Sequence, residues 1–200
     1  TLLEDGNNNI WVGTFLEGLN RHNLASNQFN HQSNANQDPN GLSGNAITHF
    51  FESADKTLFI STYASGLNVL EPASQSYHHY QYDDKNQQSI SANAISGIVQ
   101  GEGNTIWLGT VGGGLNQFDL STQTFTHYKH EPNDVNSISD NKILPIISSS
   151  NPDILWIGTW GGGLNRFNKK TKLFERFQHD ENNDNSLSNN TIWALVEDPL

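Results

Sequence analysis

The chain has 200 residues, 21 of them Asp or Glu and 10 Lys or Arg, so its formal charge is −11 at pH 7. Without a basic cluster to displace counterions, that balance argues against a nucleic-acid partner. No apolar run approaches the roughly 20 residues that span a bilayer, so no membrane contact is expected of this segment, and the absence of Cys excludes disulfides and thiol chemistry.

In chain order, Leu2-Leu3-Glu4-Asp5 is the first apolar piece, and it returns near the other end as Leu195-Val196-Glu197-Asp198. Both ends therefore read as the same strand of a repeating unit, and the chain as a segment of something longer. Next comes Trp11-Val12-Gly13-Thr14, matched by Phe59-Ile60-Ser61-Thr62, Trp107-Leu108-Gly109-Thr110 and Trp156-Ile157-Gly158-Thr159 at intervals of 48, 48 and 49 residues. Gly18-Leu19-Asn20 follows, with copies at Gly66, Gly114 and Gly163, and then an aromatic at Phe29, Tyr77, Phe125 and Phe174. Leu42-Ser43, Ile90-Ser91, Ile138-Ser139 and Leu187-Ser188 keep the same step. A fixed period of this length signals a solenoid, a propeller or stacked units.

Within a copy the apolar pieces are short, rich in β-branched and aromatic residues, and bounded by Gly, Asn, Asp or Pro, which is how strands read. In the third copy strands are expected at 105–110, 115–119 and 124–130, with the innermost strand of a unit at 142–147 by correspondence with 94–100. Four short antiparallel strands per repeat predict an all-β chain of β-propeller blades, part of a larger propeller. The expected organisation is one propeller segment over 1–200, with repeats at 1–46, 47–94, 95–142 and 143–191, and 192–200 starting the next blade or closing onto the first. Open blade faces are apolar and predict self-association through their edges.

Alternation places Trp107 and Gly109 on one side of their strand and Ile106, Leu108 and Thr110 on the other, so both faces are buried. Trp11, Phe59, Trp107 and Trp156 are accordingly assigned to the structural core, with the Gly two residues after each Trp leaving a gap for the ring. In the first copy His22 stands where Leu70, Phe118 and Phe167 stand, and Gln32 where Tyr80, Tyr128 and Phe177 stand; its rim is expected to pack less well. Asn45, Asn93, Asn141 and Asn190 recur ahead of each inner strand and read as Asx caps on the loop.

The run Ile154-Leu155-Trp156-Ile157-Gly158-Thr159-Trp160-Gly161-Gly162-Gly163-Leu164-Asn165-Arg166-Phe167, with Asn185-Ser186-Leu187-Ser188-Asn189-Asn190, resembles the two-component regulator propeller repeat of bacterial sensor proteins. The resemblance spans nearly the whole chain; the Gly-His and Trp-Asp pairing of the eukaryotic WD-type propeller is missing. It implies a periplasmic or extracytoplasmic sensory region of a hybrid two-component or diguanylate cyclase receptor. A kinase or cyclase would lie elsewhere in the full-length protein, and the ligands would be carbohydrates or their breakdown products.

The loops after the second strands and the long connections between repeats should share one end of the blades. Directly after each Thr of the second strand stand Phe15, Tyr63, Val111 and Trp160, and Glu17 replaces the small Ser65, Gly113 and Gly162 of the other copies. Rings beside polar groups in a concave mouth suit a sugar-like or small organic ligand, so Phe15, Glu17, Tyr63, Val111 and Trp160 are the candidate ligand-binding residues. The competing reading is a structural or protein-interaction propeller with no small ligand. A polysaccharide-acting enzyme is a third, for which Glu17, His49 and Lys142 are the only mild candidates; the segment is read as non-catalytic, without cofactor. The acidic stretches 131–134 and 180–184 lack the alternate oxygen spacing of an EF-hand, and His78 and His79 face opposite ways on a strand, so no metal site is expected.

Overall fold

The computed structural model describes residues 1–34, 38–71, 74 and 76–198; residues 199 and 200, the end of the segment 192–200, lie outside the described residues. Among the described residues there is no helix, and sixteen strands form four antiparallel four-stranded sheets, each in simple sequence order. In strand number and order each sheet is a propeller blade. The first blade is β1 (Leu2–Glu4), β2 (Asn9–Gly13), β3 (Leu19–Asn23) and β4 (Gln28–Gln32), and the second is β5 (Ile47–Glu52), β6 (Leu58–Thr62), β7 (Leu67–Leu70) and β8 (Tyr77–Tyr80). The third is β9 (Ile95–Gln100), β10 (Thr105–Thr110), β11 (Gly114–Asp119) and β12 (Thr124–Tyr128). The fourth is β13 (Ile143–Ser148), β14 (Ile154–Thr159), β15 (Leu164–Asn168) and β16 (Leu173–Phe177). The chain divides into two compact units, Thr1–Ile98 and Val99–Leu200, the division falling inside β9.

In the first unit Trp11 and Leu19 of the first blade form one cluster with Ile47, Phe50, Leu58, Ile60 and Leu70 of the second. In the second unit Trp107 and Leu115 of the third blade join Ile143, Ile146, Leu155, Ile157 and Phe167 of the fourth. The indole of one blade is thus covered by the next, and its ring lies 5.2 Å from that of Phe167 in a T-shaped contact. Burying such a ring contributes on the order of 2 to 3 kcal/mol.

The Gly of the Trp-x-Gly pair does not make room for its own indole. A Cβ on Gly13 would lie 2.5 Å from Ile47 Cγ2, and one on Gly158 2.7 Å from Ile192 Cβ. The gap receives the first inward residue of the following inner strand. Phe59 and Trp107 are buried and Trp11 nearly so. Trp156 departs from the core assignment: it is only partly buried, meets Phe177 at 5.8 Å, and opens onto a cavity of about 310 Å³ lined by Ile147, Leu164, Leu195 and Val196.

The rim of the first blade is loose. Phe29 is 66% exposed where Phe125 and Phe174 are 4% and 5%. Phe125 stacks on Phe118 at 4.3 Å, whereas Phe29 lies against the imidazole of His22 at 4.6 Å.

The recurrent Asn ahead of each inner strand is more than a local cap. Asn45, Asn93, Asn141 and Asn190 each accept, through Oδ1 and at 2.7 Å, the N–H of a residue just past the fourth strand eleven positions back: Asn34, Tyr82, His130 and His179. Their carbonyls take the N–H of Gly18, Gly66, Gly114 and Gly163. One residue therefore closes the long connection and ties it to the loop after the second strand. The acidic residues of these connections serve their own backbone: Asp134 Oδ1 accepts from Asn136 N, and Asp180 Oδ1 from Asn182 N. Among the described residues no group of three His, Asp or Glu could hold a metal.

Residues 191–198 dock on the fourth blade as β5 docks on the first. Ile192 N donates to Thr159 O at 3.0 Å as Ile47 N does to Thr14 O at 2.9 Å. Glu197 accepts from Ser149 Oγ and Ser150 N in the turn of the preceding blade, as Glu52 accepts from Gly6 N.

Candidate functional site

Each second strand ends in a Thr that shapes the loop behind it. The hydroxyls of Thr14, Thr62, Thr110 and Thr159 donate to the carbonyls of Gly18, Gly66, Gly114 and Gly163 at 2.8 to 2.9 Å. Thr14, Thr62 and Thr159 also accept a loop N–H, from Glu17, Ser65 and Gly162. Those glycines have φ between +76° and +82°, and a Cβ on Gly66 would sit 2.2 Å from Tyr80 O, so only Gly closes the loop this tightly. Held from both ends, the first loop residue has nowhere to send a large side chain but outward. Phe15 is 61%, Tyr63 53% and Trp160 49% exposed.

In the first unit the structure brings Phe15 and Tyr63 together, with ring centroids 6.0 Å apart and planes tilted by 58°. Glu17 is exposed beside Phe15, and its side chain has no hydrogen bond or ion pair among the described residues; its carbonyl faces the imidazole of His31. In the second unit Trp160 is joined by Trp193, which sequence reasoning missed, at 5.0 Å in a T-shaped pair, with Trp193 68% exposed. The signal for Trp193 was its place two residues after Thr191, on the segment that bridges Trp160. Val111 is partly buried and pairs through its backbone with Lys142, so it contributes no exposed ring. Of the enzyme candidates, His49 is exposed on β5, where the pairing with β6 shifts register between Ile47 and His49; desolvation by neighbouring atoms holds its imidazole below the usual range. Lys142, in the second unit, donates its backbone N–H to Asp140.

Each unit thus presents one exposed aromatic pair at the loop end of its blades. The extracellular domain of BT3049 from B. thetaiotaomicron, assigned to a hybrid two component system, superposes with a TM-score of 0.78 at 24% identity, over 89% of this chain and 24% of that one. The chain shares its fold. The extracellular domain of BT4673 from the same organism matches in two structures, described as belonging to a one component and to a hybrid two component system. Their TM-scores are 0.76 and 0.74 at 24% and 25% identity, over 99% and 96% of this chain and 24% of those. These neighbours are extracellular domains of signalling systems, the class named by the sequence resemblance, and the chain spans about a quarter of their length. No family model and no curated protein matches the chain.

Spaces of about 70, 310, 390 and 240 Å³ are found beside Trp11, Trp156, Phe174 and Trp107, and none of the four is lined by Phe15, Tyr63, Val111 or Trp160.

Proposed function

We propose that the chain is a sensory segment of an extracytoplasmic signalling receptor and that its loop end binds a carbohydrate-like ligand. The observation that carries this reading is the pair of exposed aromatic platforms, Phe15 with Tyr63 and Trp160 with Trp193. Solvent-facing rings have no packing reason to be large, and the apolar faces of a sugar ring stack on tilted aromatic surfaces while its hydroxyls reach nearby polar groups. Glu17 supplies such a group in the first unit, and the carboxylate of Asp140, beside Gly161, supplies one in the second. The similarity in fold to extracellular domains of two-component and one-component systems supports the sensory role.

Isothermal titration against a panel of oligosaccharides tests it. At least one saccharide should bind, Trp160→Ala should weaken or remove that binding, and far-ultraviolet circular dichroism should be unchanged because the indole is exposed. A blank panel, together with specific capture of a protein partner at this end, would replace the reading with an interaction propeller.

A further inference from the structure

At the other end of the sheets, where the first strand turns into the second and the third into the fourth, each unit has a pocket beside an indole. Trp11 walls the cavity of about 70 Å³ with Asp5, Arg21, Glu52 and Lys56. Trp107 walls the cavity of about 240 Å³ with Glu102, Gln117, Lys169 and Lys172. The two are repeat-equivalent, for Arg21 and Gln117 are the cross-strand partners of the two tryptophans.

In both, a cation lies over the indole. Arg21 Cζ is 5.5 Å from the Trp11 ring centroid, and Lys172 Nζ is 5.2 Å from that of Trp107 and 5.9 Å from that of Tyr128. Contact with a ring face uses the charge of a cation but not its N–H donors. Among the described residues neither side chain donates a hydrogen bond or meets a carboxylate, whereas Lys170, Arg166 and Lys56 pair with Asp153, Glu175 and Glu52.

The acids of the first pocket are already satisfied. Asp5 accepts from Asn7 N, Asn9 N, Asn9 Nδ2 and Trp11 Nε1, and Glu52 accepts from Gly6 N while pairing with Lys56. In the second, Glu102 stands against two lysines, and desolvation beside the rings together with the charge of Lys169 holds the Lys172 ammonium below the usual range. Both pockets thus hold unspent cationic donors on a chain of net charge −11.

We propose that these pockets bind small carboxylate-bearing molecules. The free donors of Arg21 or Lys172 take the carboxylate, and the indole wall takes the apolar part. The first pocket has room for little beyond the carboxylate, and the second for a ring attached to it. The inference does not rest on the loop-end reading, since it uses the opposite end of the blades.

The test follows the indole N–H resonances of the five tryptophans in ¹⁵N-labelled protein at constant ionic strength, with acetate, D-glucuronate and methyl glucoside as probes at millimolar concentration. Acetate should shift Trp11 and Trp107, glucuronate Trp107, and methyl glucoside neither. Arg21→Gln should weaken the Trp11 response about tenfold or more, the equivalent of one charge-assisted hydrogen bond, and leave that of Trp107. Lys172→Gln should do the reverse, so the untouched indole reports in each case that the protein is folded. Shifts spread alike over all five indoles, responses unchanged by both substitutions, or no shift at all would each overturn the proposal. Saccharide shifts confined to Trp160 and Trp193 would concern the loop end alone.

Discussion

Asn165, fully buried on β15 of the fourth blade, accepts the backbone N–H of Ser139 at 2.9 Å and donates its own amide to Ser139 Oγ at 2.7 Å, across the connection that leaves the third blade. Asn68 does the same for Ser43 N in the first unit, at 2.8 Å. The Asn of the recurring Gly-Leu-Asn thus fastens a blade to the Leu-Ser or Ile-Ser of the connection before it, which is why both motifs keep one period. Asn165→Ala would leave the partly buried Ser139 N–H without its Asn165 acceptor, and chemical denaturation should show a loss of about 1 to 3 kcal/mol. An exposed neighbour such as Asn182→Ala should change stability by less than about 0.5 kcal/mol.

Gly13→Ala should be costly and Ser61→Ala mild, although the two positions are equivalent. A methyl on Gly13 meets Ile47 Cγ2 at 2.5 Å, an overpacking expected to cost about 1 to 3 kcal/mol. Ser61 already carries a Cβ, and its hydroxyl meets Thr48 Oγ1, which donates to Ile95 O. Its loss should cost about 1 kcal/mol, read from urea midpoints at unchanged slope.

Asp5 predicts an acid limb. Burial works against its charge, but hydrogen bonds from Trp11 Nε1, Asn9 and Asn7 outweigh it and leave the folded carboxyl below 3.8. A depressed carboxylate stabilises the fold at pH values above its unfolded value, and that contribution disappears as pH falls through the folded one. The stability difference between the parent chain and Asp5→Asn should therefore be constant near neutrality and shrink below about pH 4. A difference that grows on acidification would contradict this sign.

Arg176 clamps the connection before it. Its Nε donates to Ser137 O at 2.9 Å, and its terminal nitrogen to Asp134 O and Ser137 Oγ at 2.7 and 2.8 Å. In Arg176→Ala the amides of Asp134 and Ser137, which close the two turns of that loop, should exchange with solvent about tenfold faster or more, while the β14 amides keep their protection. Equal acceleration in β14 would mean that the blade rather than the loop depends on Arg176.

Strands, blade order and the inward faces were legible in the residues because a period of 48 to 49 with alternating apolar positions leaves little freedom. The expected strand 105–110 is β10, and 124–130 ends two residues early at Tyr128 because His130 N turns to Asn141 Oδ1. The weak rim of the first blade was legible too, since a single His in an apolar series marks it. The partners of long-range polar groups were not. Asn190 and His179 are eleven residues apart, and an amide side chain looks the same whether it caps its own loop or closes another.

The order of residues by itself determined four sheets and their strand order, because hydrogen-bonded pairing and solvent exclusion act on local patterns. Only the tertiary structure decided that Gly13 admits Ile47 and Gly158 Ile192, that Trp193 faces Trp160, and that Arg21 and Lys172 lie over indoles with their donors unspent. Those contacts join residues from different blades or opposite strands, and their distances are set by how the sheets pack.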